Sequence, residues 1–286
     1  MGIGVVGIVS PGAMGSGLGR AWRAGGARTV ATLAGRSERT RGLAEGMDLL
    51  PTLDDVVTTS DLVVSICPPG AADSCFADIL AAATSTGARP LVADLNAISP
   101  TLVARLAARA EEAGLGFVDG SISGGPPPPG GDTMLFLAGD RADELSALAA
   151  DGLRRRVVGR APGTASAVKM CTASIYKGTA ALWLQALQTA ERLGVLEVVL
   201  DDLREAYPAE VAGAARRLAM AASKSGRYVA EMEQIAETQG AAGASPELFA
   251  GMAAVYARLS RTPLAGLTPE EARDLDDLVA VLRRLA

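Results

Sequence analysis

A glycine-containing turn near the N-terminus carries the first chemical signal in this chain. An apolar run at residues 3–9 leads into Ser10, Pro11, Gly12, Ala13, Met14 and Gly15, where a helical pattern begins. Gly12 would let the backbone approach a pyrophosphate, and Gly15 would let the helix pack closely on the strand. The backbone amides at the start of the helix suit phosphate groups. The turn therefore predicts a dinucleotide site at residues 10–14. Ser10 replaces the usual first glycine, so an ordinary strand–turn–helix is the alternative.

A basic segment follows the second apolar run, at residues 29–34. Arg36 lies about twenty residues beyond the glycines, where an acidic residue binds the ribose hydroxyl of NAD and an arginine accommodates the 2′-phosphate of NADP. The planar guanidinium fits phosphate oxygens, and Ser37 and Arg39 can add further donors. We therefore predict NADP as the cofactor, with a solvated basic turn as the alternative.

The elements that would position these residues alternate along the first half of the chain. Apolar runs predict strands at 3–9, 29–34, 62–66, 91–94, 116–119, 133–138 and 156–158, and helical patterns occupy 15–24, 39–45, 71–82 and 99–113. This alternation predicts an α/β fold, a doubly wound parallel sheet of the Rossmann type, over residues 1–162. Ligands of such sheets bind beyond the carboxyl ends of the strands. Loops at those ends make Cys67, Pro68, Pro69 and Asn96 candidate cofactor contacts.

The second half of the chain has a different pattern. A Gly/Pro hinge at 159–163 precedes helical patterns at 165–193, 203–223, 228–239, 246–259 and 269–285. We therefore predict an all-helical domain over residues 163–286 that serves substrate binding and dimerisation. The first of its helices is too apolar all round for a surface helix. We predict a homodimer built through this helix and the later helices.

Composition excludes several classes of function. The net charge is −5 with scattered basic residues, so nucleic acid is not an expected partner. The chain has no histidine, the commonest metal ligand, and we predict no metal site. Cys67, Cys75 and Cys171 lack CxxC spacing and predict buried thiols in a reducing compartment. No targeting signal and no stretch of about 20 apolar residues is visible, so we expect a cytoplasmic protein without a membrane partner.

The order of motifs resembles that of the β-hydroxyacid dehydrogenases. This superfamily includes the 6-phosphogluconate and 3-hydroxyisobutyrate dehydrogenases, and the imine reductases are related to it. The resemblance covers the whole chain and rests on the glycine-containing turn, Cys67-Pro68-Pro69, Asp94-x-Asn96, Ser123-Gly124-Gly125 and Lys169 on a long helix. It implies hydride transfer between NADP(H) and a small β-hydroxy acid or related carbonyl compound. It also implies that Ser123, Gly124 and Gly125 hold the substrate carboxylate, with a tight turn as the alternative.

Lys169 corresponds to the catalytic lysine of the family, and it also has a physical argument of its own. It interrupts an otherwise apolar helix, where a charge is costly unless it is paired or faces a cavity. Burial beside a cationic nicotinamide would lower its pKa towards that of a proton donor. Tyr176 lies two turns further on the same face and Thr172 flanks it. We predict Lys169 and Tyr176 as catalytic residues, with a lysine extending along a domain edge as the alternative.

Two features bear on the substrate. Thr172 and Ala173 occupy positions where the family usually has asparagines that contact the substrate hydroxyl, so we do not assume 3-hydroxyisobutyrate or 6-phosphogluconate. Thr172 stays a candidate substrate contact, and so does Glu231, for which a solvated carboxylate is the alternative. An imine reductase and a non-catalytic NADP-binding protein are the alternative functions. Lys169 argues against the imine reductases, which usually carry Asp or Tyr at that position.

Overall fold

The computed structural model describes residues 2–285 and divides the chain into two compact units. The N-terminal unit comprises residues 1–170 and the helical unit comprises residues 171–286. We placed the domain boundary earlier, after residue 162. The N-terminal unit includes the first turns of the long helix because this segment is hydrogen-bonded to Asp119.

The N-terminal unit is built on a single sheet. Its described strands are β1 (Val5–Val9), β2 (Arg28–Ala31), β3 (Asp48–Leu49), β4 (Leu62–Ser65), β5 (Leu91–Asp94), β6 (Phe117–Ser123), β7 (Thr133–Ala138) and β8 (Leu153–Gly159). Their spatial order is β3-β2-β1-β4-β5-β6-β7-β8. Neighbouring strands are parallel except for β6 and β7, which are antiparallel. The predicted fold class is therefore confirmed.

Helices connect most of the strands and pack on the sheet. They are α1 (Ala13–Ala24), α2 (Glu38–Leu43), α3 (Leu53–Thr59), α4 (Ala72–Thr86), α5 (Pro100–Glu112) and α6 (Ala142–Ala147). Two apolar clusters form around neighbouring β1 residues, since Ile8 packs in one cluster with Trp22 and Val9 packs in the other with Phe76. Successive side chains of a strand point to opposite faces, so β1 is buried on both sides, as expected of a central parallel strand.

The sequence patterns did not predict three elements of the N-terminal unit, namely β3, α3 and α6. Strand β3 has only two residues, both exposed, and offers no apolar signal. Helix α3 did carry a usable signal. Thr52 accepts a bond from the Asp55 amide at 3.1 Å, and the Asp55 carboxylate accepts one from the Thr52 amide at 3.1 Å. This reciprocal pair is a capping box, and it marks the start of a helix.

The helical unit continues from the long helix α7 (Thr164–Arg192). It contains α8 (Leu196–Ala206), α9 (Pro208–Ala212), α10 (Ala214–Ala222), α11 (Ser225–Ala241), α12 (Glu247–Leu259), α13 (Pro269–Arg273) and α14 (Leu278–Arg283). Among the helices described, none combines the length and apolar character required to cross a membrane.

Two C-terminal segments were each predicted as one helix, and this is wrong because the structure divides each of them into shorter helices. The segment predicted at 203–223 breaks at Tyr207, whose φ of −137° and ψ of 57° are not helical. The cause is Pro208, because a proline disfavours helical backbone in the residue before it. The segment predicted at 269–285 divides into α13 and α14, and the Asp277 side chain caps the second by accepting a bond from the Ala280 amide at 3.0 Å.

Candidate functional site

The residues predicted to bind the cofactor follow strands that end at one edge of the sheet. Ser10 follows β1 directly, Cys67 and Asn96 come two residues after β4 and β5, and Arg36 follows β2. These four strands are adjacent and parallel, so their carboxyl ends meet at the same edge. The strand order changes direction between β1 and β4, and ligands of doubly wound sheets bind at such a switch point.

The turn after β1 has the geometry of a phosphate-binding turn despite its missing glycine. Ser10 has a φ of +70°, the left-handed conformation that glycine adopts most readily. A Cβ on Gly15 would lie 2.8 Å from the Ser10 carbonyl oxygen, so the close approach of α1 to the turn requires glycine. A Cβ on Gly12 would meet nothing within 4 Å. The turn therefore leaves open space at Gly12, where a pyrophosphate would fit.

The start of α1 is also electrostatically suited to an anion. Gly12 supplies no side-chain cap, and the first turn carries no acidic residue. Amides at this end of a helix carry a partial positive charge that favours phosphate. Ala13 is exposed and Met14 is half-buried at this position, while Pro11 is buried beneath the turn. These residues fit the diphosphate of a dinucleotide.

The basic segment after β2 presents its cations to solvent. Arg36, Ser37 and Arg39 are all exposed. The Ser37 hydroxyl accepts a bond from the Thr40 amide at 3.3 Å and thereby caps α2. The Ser37 hydroxyl also contacts the Thr40 hydroxyl at 3.2 Å, and with Thr40 as the donor of that bond the Ser37 proton can be donated to another acceptor. The segment can therefore offer two guanidinium groups and one hydroxyl to a phosphate.

A buried polar network supports the turn after β4. The Asn96 side chain donates to Ser65 Oγ at 2.9 Å and to Asp94 Oδ2 at 2.8 Å, and it accepts from the Cys67 amide at 2.6 Å. Asn96 is 2% exposed and Asp94 is 1% exposed. Burial raises the pKa of Asp94 from its ordinary 3.8 to about 7. The network fixes the carboxyl ends of β4 and β5 relative to each other, so Asn96 braces the Cys67 turn.

Lys169 lies beside the serine–glycine–glycine turn. Its Nζ donates to the Ile122 carbonyl at 2.7 Å, one residue before Ser123. Ser123 is half-buried, and Gly124 has a φ of +117°, which favours glycine. The Gly125 carbonyl accepts from the Thr133 hydroxyl at 3.0 Å, and this bond holds the turn against β7. The structure thus brings the predicted lysine and the predicted carboxylate-binding turn together.

Sequence reasoning missed Asp119, which fixes the start of the helix that carries Lys169. Asp119 lies in β6 and is fully buried. Its carboxylate accepts from the amides of Gly163, Ala165 and Ser166 at 2.8, 2.9 and 3.2 Å, and from the Ser166 hydroxyl at 2.7 Å. Burial raises the pKa of Asp119, and these hydrogen bonds oppose that shift. An acidic residue inside an apolar strand was the available signal, because such a charge requires partners.

The remaining predicted site residues belong to the helical unit. Thr172 is exposed and Tyr176 is 71% exposed on α7. Tyr176 lines a cavity of about 440 Å³ together with Glu210 and Arg217. Their predicted roles stay predictions.

Glu231, the other predicted substrate contact, is 5% exposed and forms a buried charge cluster. Its carboxylate contacts the Lys177 ammonium and lies 3.2 Å from Arg227 Nε. The Lys177 ammonium also lies 4.6 Å from the centre of the Tyr228 ring. Two cations of its own unit therefore already neutralise this carboxylate.

The prediction of three buried thiols is wrong. Cys67 and Cys75 are half-buried, and Cys171 is exposed. Cys171 lies on the face of α7 that also exposes Thr172 and Ile175, so no other element of the helical unit covers it.

Comparison with known proteins agrees with this geometry. Residues 2–150, more than half of the chain, match the NAD binding domain of 6-phosphogluconate dehydrogenase. Residues 190–259 match a domain of unknown function, DUF1932. A solved structure of a conserved protein, described as structurally similar to 3-hydroxyacid dehydrogenases, is 30% identical. The match covers 92% of this chain and 100% of the other protein's chain, with a TM-score of 0.66.

Curated relatives match a shorter region. An uncharacterised 28.5 kDa protein of Methanothermus fervidus is 29% identical over 175 residues, which are 60% of this chain and 65% of that protein. A probable 3-hydroxyisobutyrate dehydrogenase of Mycobacterium bovis is 28% identical over 168 residues, which are 56% of this chain and 55% of that protein. The chain thus spans less than two thirds of the length of these relatives. The domain match and the full-length structural match show that this chain belongs to the β-hydroxyacid dehydrogenase superfamily.

Proposed function

We propose that this protein is an NADP-dependent oxidoreductase that transfers a hydride between NADP(H) and a small β-hydroxy acid or related carbonyl compound. The bond from Lys169 Nζ to the Ile122 carbonyl carries the proposal, because it puts a proton donor beside the Ser123 turn. The exposed amides and hydroxyl of that turn suit a substrate carboxylate. The three free cysteines support our prediction of a reducing, cytoplasmic compartment.

The proposed roles divide between binding and proton transfer. Residues 10–14 would hold the diphosphate, Arg36 with Ser37 and Arg39 would hold the 2′-phosphate, and the turn at Cys67, Pro68 and Pro69 would lie against the cofactor. When bound, the nicotinamide supplies or accepts the hydride. Ser123, Gly124 and Gly125 would orient the substrate through its carboxylate, which limits the ways in which its reacting carbon can lie.

Lys169 would move the accompanying proton. An ammonium group has three donors, and one of them is already bonded to the Ile122 carbonyl. We expect another of them to be directed at a substrate oxygen when substrate is bound. In the reductive direction Lys169 gives its proton to the oxygen that becomes the hydroxyl, and in the oxidative direction the neutral amine removes it.

The cofactor assignment is tested by removing the guanidinium of Arg36. Arg36→Ala should weaken NADPH binding by about 1.5–3 kcal/mol, the value of one charge-assisted hydrogen bond, and leave NADH binding nearly unchanged. Arg41, which is exposed on the following helix α2, provides the matched control Arg41→Ala. Equal losses for NADPH and NADH in a fluorescence titration would contradict the assignment.

The chemical assignment is tested at Lys169. Lys169→Met should reduce turnover about 10²–10⁴-fold, because a general acid–base group contributes a factor of this size, and it should leave NADPH affinity unchanged. The assay is a panel of β-hydroxy acids, carbonyl compounds and imines run in both directions. Undiminished turnover would refute the role of the lysine. Turnover of imines alone would favour the imine reductase alternative.

The panel also tests the tyrosine. Tyr176→Phe should cost less than Lys169→Met if Lys169 is the proton donor. A larger loss for Tyr176→Phe would transfer the role of proton donor to the tyrosine.

We further propose that the protein is a homodimer formed through the helical unit. Ile175, Tyr176 and Leu182 of α7 are 69, 71 and 62% exposed, and Val198 of α8 is 73% exposed. Large apolar side chains grouped on an exposed helix mark an association surface. Light scattering at micromolar concentration should give the dimer mass, and Leu182→Glu should give the monomer mass. A monomer mass for the unchanged protein would contradict the proposal.

A further inference from the structure

Two cysteines meet at the turn that follows β4. Cys67 comes two residues after the strand, and Cys75 lies in the first turns of α4. A short 3-10 turn, Pro69–Ala71, joins them and returns the chain so that both meet one polar network. In that network Asn96 accepts from the Cys67 amide at 2.6 Å and donates to Ser65 Oγ at 2.9 Å. Ser65 Oγ also donates to Cys75 Sγ at 3.8 Å. Both side chains are half-buried, so a small molecule can reach them.

The surroundings make the two thiols unequal. Their mutual hydrogen bond raises the pKa of Cys67 and lowers the pKa of Cys75, so Cys75 is the one that loses its proton first. The Ser65 hydroxyl and the positive charge of Arg36 also lower the pKa of Cys75, whereas burial and Asp94 oppose them. A thiolate is the nucleophilic form of cysteine, and a neighbouring second thiol can resolve its oxidation product.

We propose that Cys67 and Cys75 form a reversible disulfide when the protein meets a hydroperoxide, and that this disulfide weakens cofactor binding. The Cys75 thiolate attacks the peroxide, the O–O bond breaks, and a Cys75 sulfenic acid forms as the alcohol or water leaves. The Cys67 sulfur then attacks the sulfenic sulfur, the S–O bond breaks, and water leaves with the Cys67 proton. Two thiols lose two electrons, and one hydroperoxide is reduced.

The effect on the cofactor follows from what holds the turn. The Cys67 amide donates to Asn96 Oδ1 at 2.6 Å, and Asn96 is itself fixed by Ser65 and Asp94. A covalent bond brings the two sulfurs closer than a hydrogen bond does, and Pro68 and Pro69 leave the connecting segment few ways to adjust. Disulfide formation therefore moves the Cys67 backbone, and this movement weakens the bond from the Cys67 amide to Asn96. This second part rests on the proposed cofactor role of the turn, whereas formation of the disulfide does not.

The test uses the full chain with the exposed Cys171 replaced, as Cys171→Ser, so that only the pair remains. After treatment with hydrogen peroxide the protein is digested under non-reducing conditions with a protease that cleaves before aspartate. Cleavage before Asp61, Asp73 and Asp78 puts Cys67 in residues 61–72 and Cys75 in residues 73–77. We expect a linked pair of these peptides that dithiothreitol separates. Peptides that stay unlinked, or Cys75 oxidised only to the sulfinic acid, would overturn the disulfide.

Two further variants and a titration complete the test. In Cys67→Ser, oxidation by hydrogen peroxide should stop at a Cys75 sulfenic acid, which dimedone traps. Cys75→Ser should not react with hydrogen peroxide. Oxidation should weaken NADPH binding about tenfold, as expected for the loss of about one hydrogen bond, and dithiothreitol should restore it. A linked pair with unchanged NADPH affinity would overturn the coupling to the cofactor. Reduced protein that does not bind NADPH would refute the proposed function, and the peptide result would still decide the disulfide.

Discussion

Asp119 provides a sharp test of how the N-terminal unit places Lys169. Its carboxylate accepts four hydrogen bonds, three from backbone amides at residues 163, 165 and 166 and one from the Ser166 hydroxyl. Asp119→Ala removes the acceptor and leaves these donors buried. Each unsatisfied buried donor costs about 1–3 kcal/mol. Part of the total cost is offset, because the substitution also removes the cost of burying the carboxylate. We expect the free energy of unfolding to fall by about 3–5 kcal/mol, as when one partner of a buried charged cluster is removed.

Asp119→Asn separates hydrogen bonding from charge. Its amide oxygen still accepts the backbone bonds, and its amide nitrogen can donate to the Ser166 hydroxyl, which also accepts. We expect a loss of only about 1–2 kcal/mol. Asp140→Ala is the matched control, because Asp140 is 84% exposed and its loss should change the free energy of unfolding by less than about 0.5 kcal/mol.

Urea denaturation measures these free energies, and amide hydrogen exchange gives a local readout. The amides of Ala165 and Ser166 should exchange much faster in Asp119→Ala and remain protected in Asp119→Asn. Turnover should fall in Asp119→Ala because the first turn of α7, and with it Lys169, loses its fixed position. Unchanged exchange at Ala165 and Ser166 in Asp119→Ala would refute this reasoning.

Three further predictions concern stability. Ser10→Gly should raise the free energy of unfolding by up to about 1 kcal/mol without loss of NADPH affinity, because glycine adopts the +70° φ without strain. Burial raises the pKa of Asp94 from 3.8 to about 7, so the folded state keeps this proton over a range where the unfolded state loses it. Stability should therefore fall as pH rises from about 4 to about 7, by up to about 1.4 kcal/mol per pH unit in urea titrations, with a smaller slope in Asp94→Asn. Glu231→Gln should lower the free energy of unfolding by about 3–5 kcal/mol in the same assay, because it removes the negative charge from the buried cluster with Lys177 and Arg227, and the exposed Glu233→Gln should be neutral.

Local rules predicted the central strands and the turn after β1. Strands β5 and β7 have the bounds that their apolar runs predict. Every residue of β5 is buried, and a strand buried on both faces needs an uninterrupted apolar run. The glycine at position 15 was interpreted correctly, since the contact that excludes a side chain is with the neighbouring Ser10. Elements with no buried face, such as β3, gave no such signal.

Contacts between distant parts of the chain decided the rest. The bond from Lys169 to the Ile122 carbonyl joins residues 47 apart, and the bonds from Ala165 and Ser166 of α7 to Asp119 span similar separations. A sequence pattern shows that Lys169 and Asp119 need partners, because buried charges are costly, but it does not show which groups satisfy them. The pairing of Cys67 with Cys75 likewise depends on how the Pro68–Pro69 turn folds back. The sequence alone determined which residues could do chemistry, and the tertiary structure decided which of them meet, because only packing brings distant groups within hydrogen-bond distance.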